Sequence, residues 1–378
     1  MIKTITAYAP ATCANVIVGF DILGFACDFI GDEVTLVSRD DKEIIIGSIE
    51  STEALPFDIE KNTASVVIKK MIENLKMDMG FTLHIKKGIP LSSGLGGSAA
   101  SAVAAAVACN GFLRTPLTHE ELLPYILCGE AIASGDVAAS GGAVSNDVVA
   151  SGHAVSSDDV AANDYAVSGD DVAANDHAVS SDSVAASSAA VTGNAAVVSN
   201  EVHADNIAPC LYGGLTLVTS LYPLKIISLP IPDVFCVFVH PHIKINTKDA
   251  RKILSSTILL KNHIRQTQQL AGFIVSLYQN NKELLKQSLT DFIIEPQRAH
   301  YIPCFQELKK MAMERGALGI SLSGSGPTLF AWTEKKEDAD AIGIALSQHL
   351  QRERVNAEYW VSKISSEGAK IISKCSGP

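Results

Sequence analysis

Residues 88–101 read GIPLSSGLGGSAAS, a run that few chains can accommodate except as the turn between a strand and a helix. Before it, Phe81-Thr-Leu-His-Ile85 alternates apolar and polar residues, the pattern of a half-buried strand. After it, Ala99 to Cys109 is Ala-rich and of high helix propensity. Glycines without a Cβ let backbone N–H groups converge on an anion, and a helix N-terminus adds partial positive charge. Three glycines within positions 94–97, flanked by serines, exceed what a helix cap needs. The loop therefore reads as a polyphosphate site rather than a plain turn. It is not a Walker A loop, because no Lys follows the last Gly. Gly94 to Ala99 does match G-x-G-x-x-A, the weak dinucleotide fingerprint, but no acidic residue closes a second strand at the distance that fingerprint requires. Thr118-His-Glu-Glu121 reads instead as a capping box opening a helix to about Ile132.

Charge needs one correction before it can be used. The chain has 378 residues, room for two domains, and a formal net charge of −11. Residues 136–200 contain nine Asp and no Lys, Arg or Glu, so the rest is nearly neutral. A neutral body gives no reason to expect nucleic acid or an anionic membrane as partner. Eight cysteines with no C-x-x-C pair fit reduced thiols rather than a zinc site or a disulfide framework. No signal core opens the chain and no charge-free apolar stretch is long enough to span a membrane, so a soluble, cytoplasmic protein is expected.

Residues 136–200 also change composition. Ala-Val recurs at 143, 154, 166, 178 and 190, a period of 11 or 12 residues, and the copies resemble AVSSDDVAANDY. Without large aliphatics the tract cannot offset its ordering entropy, so a disordered insertion is expected in preference to a thin β-solenoid.

Elsewhere the candidates are scattered. Asn15 and Asp21 lie among apolar residues in APATCANVIVGFDILGFA, on a bend between strands or in a simple turn. Short strands are expected at 34–37 and 43–46, and Asn62 caps a helix from Thr63 to Leu75. Glu130 sits near a helix C-terminus, an unfavourable place for an anion and a small hint of a cationic partner. His203 and Asp205 are too few for a closed metal site, and His240-Pro-His242 reads as a strand end. Helices are expected from Thr247, over 261–278 and over 282–292. Pro296 then stops the chain's helix and leaves Arg298 exposed, and Arg251 and Arg298 could together clamp a carboxylate. A second tight loop, at Gly324, Gly326 and Pro327, lies between two strands in ALGISLSGSGPTLF.

Together the stretches APATCANVIVGFD, PLSSGLGGSAAS and ISLSGSGPTLF resemble the three motifs of the GHMP kinases, and HADNIAPCLYGG, TKDAR and EPQRAHYIP resemble the homoserine kinase branch. The resemblance covers the chain except the repeat tract. It implies an α+β, two-domain fold: an N-terminal domain like ribosomal protein S5 domain 2 over 1–220, interrupted by 136–200, and a ferredoxin-like C-terminal domain over 221–378. It implies ATP, Mg²⁺ and L-homoserine as ligands, and a homodimer by analogy. The ATP phosphates would be wrapped by Pro90, Leu91, Ser92, Ser93, Gly94, Leu95, Gly96, Gly97, Ser98, Ala99 and Ala100, with Asn62 lining the adenine pocket. Ser98 and Glu130 match magnesium ligands. Asn15, Asp21, His203, Asp205, Arg251 and Arg298 match the homoserine site, Asp21 suiting the ammonium and the arginines the α-carboxylate. Gly324 to Thr328 would close the site.

Asn206 and Arg251 fall at the catalytic positions of the family. Mevalonate kinase and galactokinase place an Asp, a candidate base, where this chain has Asn206. An amide takes no proton at neutral pH, so the resemblance implies catalysis by positioning and charge neutralisation. Rival readings are another small-alcohol kinase of the superfamily, which would leave the arginine pair without a carboxylate, and a non-catalytic binding protein, which would have no use for Ser98 and Glu130.

Overall fold

The computed structural model describes residues 2–134, 203–221 and 223–376. The repeat tract, and with it the expectation of disorder at 136–200, lies outside the described residues. The first part of the chain forms β1 (Ile2–Ala14), β2 (Leu23–Arg39), β3 (Ile44–Glu50), α1 (Thr63–Leu75), β4 (Gly80–Lys86), α2 (Gly97–Asn110) and α3 (His119–Ser134). After the tract come α4 (Ile207–Tyr212), β5 (Leu215–Leu221), β6 (Leu224–Leu229), β7 (Phe235–Pro241), α5 (Thr247–Lys252) and α6 (Leu260–Gln279). The remainder is α7 (Lys282–Ser288), α8 (Glu295–Arg298), α9 (Phe305–Glu314), β8 (Ala317–Leu322), β9 (Leu329–Thr333), α10 (Lys336–Arg352), β10 (Ala357–Ser362) and β11 (Lys370–Ser376).

Two sheets result. The larger runs β11-β1-β2-β4-β3, with β5 joined to the start of β2 and β6 beyond it. Residues after 221 thus supply two of its strands, β6 and the returning β11. The smaller sheet is antiparallel throughout, in the order β10-β7-β9-β8. With α9 and α10 against it, that order is the split βαβ arrangement of ferredoxin-like folds.

Why α2 lies at the centre follows from its composition. Every residue from Ala99 to Cys109 is buried, and a helix without a polar face has to be covered all round. Small alanines let β1, β2, α1 and α3 approach it closely. Phe25 joins the sheets: its ring lies 6.1 Å from Phe238, 5.8 Å from Phe330 and 5.5 Å from Trp332.

Two local expectations change. The short strand expected at 34–37 is part of a 17-residue strand, β2, because pairing with both β1 and β4 continues the ladder past the apolar run. The helix expected over 282–292 ends at Ser288. Asp291 then accepts the N–H groups of Ile293 (2.8 Å), Ile294 (3.0 Å) and Glu295 (2.8 Å) and starts a separate turn, α8. Pro296 sits in the first turn of α8, where a missing N–H is tolerated. Arg298 consequently turns inward and is 3% exposed, contrary to the expectation of a surface charge.

Candidate active site

The glycine loop is held from two sides. Thr12 N–H donates to Leu95 O (3.1 Å), Ser323 Oγ to Gly94 O (2.7 Å) and Thr328 N–H to Ser93 O (3.2 Å). Gly94 and Gly96 are left-handed, at φ +79° and +68°. A Cβ on Gly94 would stand 2.5 Å from Ser323 O, so only glycine permits the contact between the two small-residue loops. Gly96 is the N-cap of α2, whose axis therefore starts at the loop. Next in the chain, Ser98 Oγ donates to Glu130 Oε2 (2.8 Å) across from α3. Burial pushes the Glu130 carboxyl above the usual carboxylate range, while the Ser98 hydroxyl and the Lys87 ammonium act in the opposite direction.

A second constellation lies on the turn between β1 and β2. Asn15, Val16, Ile17 and Asp21 all have positive φ (72°, 44°, 64° and 62°). For β-branched Val16 and Ile17 this is costly backbone, the kind that persists where a site over-determines it. Asn15 holds the turn: its Oδ1 accepts Asp21 N–H (3.0 Å) and its Nδ2 donates to Gly324 O (3.1 Å). Asp21 accepts both ends of the Arg251 guanidinium at 3.0 Å, one on each oxygen, and His203 Nδ1 lies 3.3 Å from Oδ2, which it shares with Arg251 Nη1. Arg298 donates to Ala250 O and Gly324 O (3.0 Å each). Both guanidinium groups stand over the Phe20 ring, 5.5 and 5.2 Å from its centroid.

Between the constellations lie Asp205 and Asn206. Burial, then the Asp21 carboxylate, pushes the Asp205 carboxyl up to about 7, and Arg251 offsets part of this. Asn206 is the N-cap of α4, yet its side chain makes no cap bond; its Oδ1 instead accepts Thr12 Oγ–H (2.8 Å). Asn206 thus leaves its helix without a side-chain cap and lines the site's cavity.

One cavity of about 850 Å³ joins these parts. Asn62, Pro90, Leu91, Ser92, Ser93, Gly94, Gly96, Gly97, Ser98 and Glu130 line it, together with Asn15, Asp21, His203, Asp205, Asn206, Arg251 and Arg298. Gly324 and Ser325 contribute from the second glycine loop. Asn62 also caps α1 through Ala64 N–H (3.1 Å). Three expected loop residues do not line it: Leu95, Ala99 and Ala100 are fully buried beneath the loop. Ala100 N–H is already bonded to Gly96 O (2.9 Å), so it has no donor left for a phosphate.

Two family models match the chain, the GHMP kinases N terminal domain over residues 62–143 and the GHMP kinases C terminal over residues 273–352. A homoserine kinase from Chloroherpeton thalassium is 33% identical over 383 residues, which cover 98% of this chain and 100% of its own. The chain belongs to the homoserine kinase family of the GHMP kinases. A second homoserine kinase, from Chlorobaculum tepidum, is 33% identical over 99% of this chain and 100% of its own. The crystal structure of homoserine kinase from Cytophaga hutchinsonii has a TM-score of 0.79 at 35% identity, with 98% of each chain covered. Mevalonate kinase from methicillin-resistant Staphylococcus aureus, at a TM-score of 0.54 and 13% identity, shares the fold alone.

Within this homoserine kinase fold, sequence reasoning overlooked Lys87, Asp32 and Thr12. The first two carry a signal in their phase: Asp32 falls in step with Val34 and Leu36, and Lys87 with Phe81, Leu83 and Ile85, all buried. A charge on the inward face of a strand needs a reason. His240-x-His242 plays no part in the cavity: His240 Nδ1 bonds Thr328 Oγ1 (3.0 Å). Among the described residues no helix is long and apolar enough to cross a membrane.

Proposed function

We propose that this chain transfers the γ-phosphate of ATP to the side-chain hydroxyl of L-homoserine, giving O-phospho-L-homoserine and ADP, a step toward threonine. The observation that carries the reading is a single cavity with a glycine loop on a helix start at one end and a matched acid–arginine pair at the other. Polyphosphate suits the first and an amino-acid zwitterion the second. Substrate ammonium replaces Arg251 at Asp21, and substrate carboxylate replaces Asp21 at Arg251, with Arg298 alongside. The charge in the pocket stays balanced, which favours an amino acid over a sugar or a mevalonate.

Homoserine's hydroxyl oxygen forms the new bond to the γ-phosphorus as the bond to the β,γ-bridging oxygen breaks, and ADP leaves with that electron pair. The hydroxyl proton leaves late, to a phosphoryl oxygen or to water, since Asn206 cannot accept it. Asn206, fixed by Thr12, orients the hydroxyl. Ser98 and Glu130 present hard oxygens beside the phosphate loop, a donor set that fits Mg²⁺, which characteristically takes few protein ligands and completes its shell with phosphate and water. Bound there, Mg²⁺ supplies charge neutralisation. Backbone N–H groups of the loop and the N-terminus of α2 supply the rest. Eight cysteines, all without a disulfide, support the cytoplasm as its compartment.

The test is ADP release with ATP and Mg²⁺ against L-homoserine, L-serine, mevalonate, shikimate and galactose. Turnover confined to homoserine is expected. Turnover of another alcohol would overturn the substrate, and silence across the panel would overturn the kinase.

A further inference from the structure

Behind the phosphate loop lies a buried ion pair that the proposed reaction does not yet use. The β2–β4 ladder pairs Val34 with Ile85 and Glu33 with Lys86, and Asp32 and Lys87 follow in the same phase. Their side chains are 0% and 4% exposed, and they are bonded to each other. Such a pair is by itself weak evidence of stabilisation. Desolvating two charges offsets most of their attraction, and an apolar pair of similar volume folds as well or better.

What the pair touches points elsewhere. Asp32 Oδ1 accepts Gly88 N–H (3.1 Å) and Ile89 N–H (3.2 Å), where the chain enters the loop. Its Oδ2 accepts Ser101 Oγ–H (2.8 Å). Lys87 Nζ donates to Ser101 Oγ (2.9 Å) and to Gly97 O (2.6 Å), where the loop becomes α2. One carboxylate and one ammonium thereby tie both ends of the loop together. Lys87 and Ser101 also line the cavity on the loop's side.

We propose that the Asp32–Lys87 pair is the positioning device of the phosphate loop, tying its two ends together and holding the Lys87 charge, whose three N–H donors are taken by Asp32, Gly97 O and Ser101, on the side where the nucleotide's phosphates lie. The cation that a Walker A loop carries after its last glycine comes here from the residue that follows β4. Asp32 acts through the loop and Lys87 and is a positioning residue. The inference rests on the ATP reading above.

The test compares the parent chain with Asp32→Leu/Lys87→Met and with Lys87→Arg, by calorimetric binding of ATP, ADP and adenosine and by KM for each substrate. The apolar double variant also leaves Gly88 N–H, Ile89 N–H and Gly97 O without their side-chain partners, so it is expected to melt below the parent, to bind ATP and ADP about tenfold or more weakly, and to bind adenosine unchanged. KM for ATP rises and KM for homoserine does not. Lys87→Arg keeps the charge but replaces a compact ammonium by a longer planar fork that cannot make the same three bonds, and guards against a double variant that does not fold; it is expected to show the same selective loss. Variants that hold ATP and ADP as tightly as the parent overturn the inference, as does an equal loss of adenosine. A parent that binds no ATP would instead bring down the kinase reading itself.

Discussion

At the scale of single residues, burial decides what the charged groups do. Arg298 is buried between two main-chain carbonyls, so its side chain is fixed before any ligand arrives. Arg298→Ala is expected to lower kcat/KM for homoserine by about 100-fold or more, and Arg298→Lys not to restore it, because a point charge cannot keep a forked geometry. Steady-state kinetics at saturating ATP check this. Asp205 makes a different prediction. Folding raises its pKa to about 7, so the fold favours the protonated form. Its contribution to stability is fully present below the ordinary carboxylate range and is lost as pH rises through about 7. Asp205→Asn, neutral throughout, should therefore outlast the parent in urea at about pH 8, the difference closing toward about pH 4. A difference that stays constant across this range would refute the shift.

At the scale of elements, the site is made where element ends meet. The N-terminus of α2, the N-cap of α4, the turn between β1 and β2 and the loop between β8 and β9 each contribute from a boundary, where backbone groups lack helix or ladder partners. Gly94 is one of these meetings: a Cβ built on it would stand 2.5 Å and 2.7 Å from Ser323 O and Gly326 O. Gly94→Ala is expected to part the two loops, raising KM for ATP about tenfold or more and costing about 1–3 kcal/mol in stability. Nucleotide titration and a denaturant melt on the same sample measure both. Near-parental values for both would mean that the loops separate without consequence.

At the scale of the whole molecule, the cavity is assembled from residues between Ala14 and Ser325. The repeat tract enters between α3, which carries Glu130, and α4, whose N-cap is Asn206. Loop length has a small thermodynamic effect. Deleting residues 137–200 is therefore expected to leave homoserine turnover close to that of the parent and stability within about 1 kcal/mol. A deletion variant that folds yet no longer turns over would assign the tract a role in catalysis.

What the sequence determined by itself is local. Strand alternation at 81–85, the Asn62 and Thr118 caps and the apolar helix after the glycine loop depend on neighbours within a few residues, and all stand in the structure as read. The family motifs also marked most of the lining residues. Only tertiary structure decided how those residues are partnered. Arg251 faces Asp21 across 230 positions, Asn206 faces Thr12 across 194, and Asp32 faces Lys87 across 55. Such pairings are set by strand register and by the docking of one loop on another, which no window of sequence contains. Arg298 shows the same limit at short range: a proline that reads as a stop became the first turn of a new helix, because a carboxylate five residues earlier supplied the N-terminal cap.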